Sequence, residues 1–167
     1  MQISTERVKE LREKCGAGIM DCRNALMETQ GDIEKAQEML REKGMLAAAK
    51  KTERATAQGL VHAYVHTGGR IGALIELNCE SDFVARTDEF QALAHNLAMQ
   101  VAAMCPLYLT EAERPADCDT EPQLACLMQQ AYIKDQTRTV QDIIMESIAR
   151  LGENIRLKRF ARFELGG

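Results

Sequence analysis

The chain has 167 residues, 28% of them charged, and a formal net charge of −4. That length holds one ordinary domain with a small module, or two small domains, and the acidic balance argues against a protein whose main work is neutralising a nucleic-acid backbone or an anionic membrane. No apolar run approaches the ~20 residues that span a bilayer, and the basic-then-apolar layout of a secretory leader is missing, so the expectation is a cytoplasmic protein with a protein partner, no membrane and no direct nucleic acid.

The first 44 residues read as a three-helix module. Ser4 caps a helix that turns Val8 and Leu11 to one face, and Gly16 and Gly18 break it. A second helix spans about 19–28; Gln30-Gly31-Asp32 stops it and caps a third, in which Ile33, Ala36 and Leu40 fall at i, i+3 and i+7 before Gly44 ends it. Residues 45–58, rich in Ala, Lys, Thr and Arg, read as a polar helical linker. Residues 59–167 read as an α+β core. Its strand-like runs 60–65 and 71–77 are joined by Thr67-Gly68-Gly69, a hairpin turn that needs a third strand or a helix against it.

At 78–86, Asn-Cys-Glu-Ser-Asp-Phe-Val-Ala-Arg, a strand hands over to a helix. Ser81 reads as an N-cap and Asp82 as a first-turn acid. For Phe83 two readings stand side by side: a staple into the protein's own core, the commoner fate of a Phe beside a helix start, or an outward pair with Asp82 aimed at a partner. The helix that follows carries Phe90, Leu93, Ala94, Leu97, Ala98 and Val101 on one stripe, and Pro106 ends it. Residues 111–122 read as an exposed loop, 124–132 and 140–151 as helices, and 155–165 as a closing strand after the breaker Gly152-Glu153-Asn154. The closing strand gathers Arg156, Lys158, Arg159 and Arg162; on an acidic protein interrupted there by Phe160 and Phe163, this reads as a solvated or charge-paired face.

Chemistry-bearing constellations are sparse. The six cysteines, Cys15, Cys22, Cys79, Cys105, Cys118 and Cys126, form no C-x-x-C pair and have no His at finger spacing, so they read as small hydrophobes. His62, His66 and His95 add no third donor nearby in sequence. No nucleophile, base and orienting residue share a recognisable spacing, and no phosphate-binding Gly loop is present. The expectation is a protein that is not an enzyme, with no metal and no cofactor.

Four motifs taken together, 16–22 (Gly-Ala-Gly-Ile-Met-Asp-Cys) with Gly31-Asp32, the hairpin, 78–85, and 151–155 (Leu-Gly-Glu-Asn-Ile), resemble the bacterial elongation factor Ts family in order and spacing over nearly the whole chain. The resemblance implies a guanine nucleotide exchange factor for the GTPase elongation factor Tu. It further implies an N-terminal ubiquitin-associated-like module and an α+β core with a three-stranded antiparallel sheet. By position, Leu11, Ile19 and Met20 match the family's docking residues. Ser81, Asp82, Phe83 and Val84 match the segment that perturbs the GTPase's Mg2+ site. Ser81 stands where the family commonly has Thr, which keeps a hydroxyl cap. A single core copy resembles the family's short form, a homodimer. The alternatives are an adaptor that binds through its three-helix module, for which Asp82 and Phe83 would be dispensable, and an RNA-binding protein using the closing strand, for which binding would fall steeply with salt.

Overall fold

A computed structural model describes residues 3–167, so the first two residues of the N-terminal module lie outside it. Three helices, α1 (Thr5–Cys15), α2 (Ile19–Glu28) and α3 (Ile33–Ala49), open the chain. Ser4 Oγ accepts the Arg7 N–H at the start of α1, and Gly16, at φ 68°, closes its end. Asp32 caps α3 by accepting the Lys35 N–H, a bond that holds the Asp32 carboxyl below its ordinary pKa. The module's interior is small: Val8, Leu11, Cys22, Ala25, Leu26 and Ala36 are buried, with Ile33, Met39 and Leu40 packed against them.

The core holds an antiparallel sheet of three strands, β1 (Gln58–Val65), β2 (Ile71–Cys79) and β5 (Ile155–Glu164), in the order β1-β2-β5. One face carries Ala73, Ile75, Leu77, Cys79, Ile155 and Leu157 into the main apolar cluster. Two helices cover that face: α5 (Asp88–Met104), whose Phe90, Leu97 and Val101 are fully buried, and α7 (Val140–Leu151), through Val140, Ile144 and Ile148. A four-residue turn, α4 (Asp82–Ala85), joins β2 to α5. Thr139 and Asp142 form a reciprocal capping box at the start of α7.

Two expectations change. Gly44 does not end the third helix, because α3 runs on to Ala49 and only residues 50–54 form turns before β1. Gly44 serves packing instead: a Cβ built there would lie 3.3 Å from the Ala149 Cβ, so its bare face is what lets α3 seat on α7. The region 124–132 is not a long helix either. It comprises α6 (Pro122–Ala125), one 3-10 turn and β3 (Ala131–Tyr132), and β3 pairs with β4 (Asp135–Thr139). Two buried amides fix this segment to α5: Gln100 donates to Gln130 Oε1 at 3.2 Å and accepts the Ile133 N–H at 2.8 Å, while Gln130 donates to the Leu124 carbonyl at 2.7 Å. Such tertiary polar bonds override local helical pattern, since a buried amide left unpaired is costly. Residues 111–122 are ordered too, because Arg114 donates to the carbonyls of Cys118 (2.6 Å) and Thr120 (2.8 Å).

The two modules share one seam. Arg41 of α3 meets Glu146 of α7 at 3.4 Å, and Arg138 donates to the other oxygen of the same carboxylate. Replacing Gly44 by Leu puts a side chain into the α3–α7 contact. It is expected to lower unfolding free energy by about 1–3 kcal/mol, read as an earlier urea midpoint, with the helical circular dichroism of the folded protein retained.

Candidate functional site

The site is built on the turn between β2 and α5. Ser81 closes β2 in extended conformation, and its Oγ accepts the Val84 N–H at 3.3 Å. Thr87 ends the turn by donating its hydroxyl to the Val84 carbonyl at 2.8 Å and caps α5 by accepting the Phe90 N–H at 3.2 Å. Between these two hydroxyl caps the backbone has little freedom. Val84 and Ala85 point into the core, and Phe83, one residue over, stands 78% exposed. Asp82 is exposed as well and forms an i,i+4 ion pair with Arg86 at 2.8 Å, a surface pair of small energetic weight.

A second segment, distant in sequence, holds this turn from behind. The Glu153 carboxylate accepts the Ser81 N–H at 2.9 Å and the Ser81 hydroxyl at 2.6 Å, one to each oxygen. The Glu80 carboxylate returns the grip by accepting the Asn154 N–H at 2.7 Å. Asn154 is buried, and its amide donates to the carbonyls of Thr52 (3.1 Å) and Arg54 (2.7 Å), while Lys51 donates to the Gly152 carbonyl at 3.0 Å. The bonds to the Glu80 and Glu153 carboxylates and from the Lys51 ammonium are charge-assisted, a kind roughly twice as strong as neutral ones. Cys79 lies beneath the turn with its thiol on the Ser81 carbonyl; burial, then the charge of Glu153, pushes that thiol's pKa up, so it remains protonated at neutral pH.

The expected site residues divide. Asp82 and Phe83 are exposed and braced; Ser81 is the clamp under them; Val84 is 6% exposed and anchors the turn from within. In the helical module Ile19 and Met20 are 56% and 61% exposed at the start of α2, whereas Leu11 is wholly buried and supports them from the module's interior. Leu11 and Val84 are buried where Ile19, Met20, Asp82 and Phe83 are exposed, because a matched position does not say which way its side chain points. Glu80, Glu153 and Asn154 lie within the 78–85 and 151–155 motifs, but nothing in the sequence says that these two motifs bind each other.

Other groups offer no second centre. Among the described residues no three His, Cys, Asp or Glu side chains converge as a metal site, although His62 Nε2 lies 3.2 Å from His95 Nδ1, a contact in which burial, then the charge of His95, lowers the His62 pKa. An open hollow of about 290 Å3 between α7, β5 and Leu109 is lined chiefly by apolar side chains. Three of the closing strand's four basic residues are charge-paired: Arg159 and Lys158 meet Glu76 at 2.7 and 3.3 Å, and Arg162 meets Glu164 at 2.9 Å, while Arg156 donates to the Thr52 carbonyl at 3.4 Å. No helix of the described residues is long and apolar enough to cross a membrane.

Fold and exposure define the class: an α+β protein of two packed modules that carries exposed apolar side chains on braced turns. A family model described as elongation factor TS matches residues 8–124. The chain is similar to the elongation factor Ts of Thermotoga maritima, 48% identical over 194 aligned residues covering 99% of this chain and 98% of that protein. It is similar also to that of Anaeromyxobacter dehalogenans, 46% identical over 195 residues covering 99% and 89%, and of Syntrophomonas wolfei, 46% identical over 194 residues covering 98% and 91%. The chain belongs to the elongation factor Ts family, whose role is nucleotide exchange in translation elongation. Because the aligned stretch is longer than the chain, those relatives carry internal residues that this one lacks.

Replacing Glu153 by Gln leaves one Ser81 donor facing an amide N–H2. The expected cost is about 2 kcal/mol of unfolding free energy, with faster hydrogen exchange at the Ser81 and Val84 amides and little change at the amides of α1.

Proposed function

We propose that this protein binds elongation factor Tu in its GDP state and promotes GDP release in the cytoplasm, with Ile19 and Met20 docking the helical module and Asp82-Phe83 acting on the GTPase's phosphate and Mg2+ site. The observation that carries this reading is Phe83: a large aromatic, 78% exposed, on a turn whose neighbours are all fixed. Leaving an aromatic in water has no benefit for the free protein, and burying it in a partner contributes about 1.5–3 kcal/mol. A rigid wedge transmits that energy as displacement. The target is sensitive to displacement, because Mg2+ demands near-ideal octahedral oxygens and the phosphates depend on a precisely placed loop. Linkage makes the exchange cyclic: whatever free energy the factor takes from nucleotide binding, nucleotide takes from factor binding. Glu80 and Glu153 supply the stiffness without which Phe83 would swing aside.

The protein works in this reading as a homodimer. The sheet face turned away from α5 and α7 exposes Val61, Val65, Leu74 and Phe163. Strand register brings Ala63, Leu74 and Ala161 into one row and Val65, Gly72 and Phe163 into the next. A second copy laid sheet on sheet covers these rows, as two-fold symmetry requires of a self-complementary surface, and the margin of the patch carries both signs of charge, Glu76 beside Arg159 and Lys158.

Release of a fluorescent GDP from elongation factor Tu is expected to accelerate on adding this protein, and Phe83→Ala to lose about tenfold or more of that acceleration with its fold intact; an unchanged off-rate with the unmodified protein would sink the reading. In solution the mass is expected to be that of two chains, and Leu74→Glu to yield one. A monomer at micromolar concentration that still exchanges nucleotide would contradict the dimer.

A further inference from the structure

Cys15 and Cys22 were read as separate small hydrophobes, yet the fold brings their sulfurs to 3.9 Å across the turn between α1 and α2. Cys15 ends α1 and is partly exposed; Cys22 lies in the second turn of α2 and is wholly buried. Between them run Gly16, Ala17, Gly18, Ile19, Met20 and Asp21, so the two thiols flank the exposed Ile19 and Met20. Gly16 and Gly18 give this stretch the backbone freedom to close the remaining separation, about 2 Å short of a disulfide bond.

The geometry points to a modification site: Cys15 and Cys22 form an intramolecular disulfide by exchange with a low-molecular-weight disulfide, and the strap weakens docking through Ile19 and Met20. Accessibility sets the order of events. Cys15, the sulfur a soluble reagent can meet, loses its proton and attacks the reagent disulfide, giving a mixed disulfide and one released thiol. Cys22 then attacks the Cys15 sulfur, its proton passing to the second departing thiolate. The protein loses two protons and two electrons, and the reagent disulfide takes them up to become two thiols, so the step is balanced. Burial, then the charge of Cys15, pushes the Cys22 thiol up to about 11, so Cys22 does not start the exchange; once Cys15 is held in the mixed disulfide it carries no charge, and only burial still opposes ionisation of Cys22 as it attacks. A bond there shifts the start of α2, which carries Ile19 and Met20 one turn earlier. A small disulfide also leaves Met20 chemically untouched, so any loss of docking reports the cysteines.

The docking half of this inference rests on the function proposed above; the disulfide half does not. The test treats the full-length protein with oxidised glutathione. Trypsin cuts after Lys14 and Arg23, so one peptide, residues 15–23, holds both cysteines. After treatment that peptide is expected to resist iodoacetamide and to weigh two hydrogens less, and dithiothreitol to reverse both. In Cys15→Ser the peptide is expected to keep one alkylatable thiol at Cys22. A peptide that stays fully alkylatable, or stops at a glutathione adduct on Cys15, or is found joined to Cys105 or Cys118, overturns the site. In GDP-release assays the treated protein is expected to need roughly tenfold more factor for half-maximal rate, with treated Cys15→Ser matching its untreated form. A disulfide that forms with no change in that concentration overturns the regulatory half. Failure of the reduced protein to accelerate GDP release at all would count against the proposed function alone, leaving the peptide result to decide the disulfide.

Discussion

The grip of Glu153 on Ser81 is the constraint from which the rest of the molecule takes its meaning. One carboxylate accepts both the backbone N–H and the hydroxyl of Ser81, 72 positions earlier in the chain, and Glu80 reciprocates on Asn154. The turn that ends β2 is thereby bound to the turn that ends α7 by bonds in both directions. Neither turn could be held so firmly by its own sequence, since short turns open at low free-energy cost unless tertiary contacts oppose it. The consequence is local: Val84 points inward, Phe83 outward, and the alternation cannot slip.

The same support reaches the helical module. α7 begins in a capping box, packs on α3 where Gly44 removes the side chain that would block the approach, and ends in the Gly152-Glu153-Asn154 turn that holds Ser81. Asn154 and Lys51 add the 50–54 turn to that junction. A path of packed helix and charge-assisted bonds therefore runs from the module that exposes Ile19 and Met20 to the turn that exposes Phe83. Two contact regions so connected keep a fixed separation, which is what a factor needs if one contact holds a partner while the other distorts it. Preorganisation of this kind moves the ordering cost from binding to folding.

Much of this was legible in the sequence where the signal was local. Ser4, Asp32 and Ser81 cap helices as their side chains allow, the β1–β2 hairpin follows its Gly-containing turn, and the apolar stripe of α5 lies on the sheet. What escaped depends on contacts between distant segments. Gly44 read as a stop because a helix interior rarely favours glycine, and only Ala149 explains it. The stretch 124–132 read as helix because nothing local announces that Gln100 and Gln130 will be buried partners. Leu11 and Val84 matched a motif yet face inward, and Cys15 and Cys22, seven positions apart, met through a turn whose geometry spacing alone does not give. Motif position named candidate residues; side-chain direction required the fold.

If the brace acts by holding Phe83, the two residues must be energetically coupled, and a double-mutant cycle on GDP release from elongation factor Tu measures that coupling directly. Glu153→Gln alone is predicted to slow release, and Phe83→Ala to slow it more. With Phe83 already removed, adding Glu153→Gln should cost nothing further, because no wedge remains to be held. Independent effects, with the double variant slower than Phe83→Ala by the full factor seen for Glu153→Gln alone, would show that Glu153 acts elsewhere and would contradict the account.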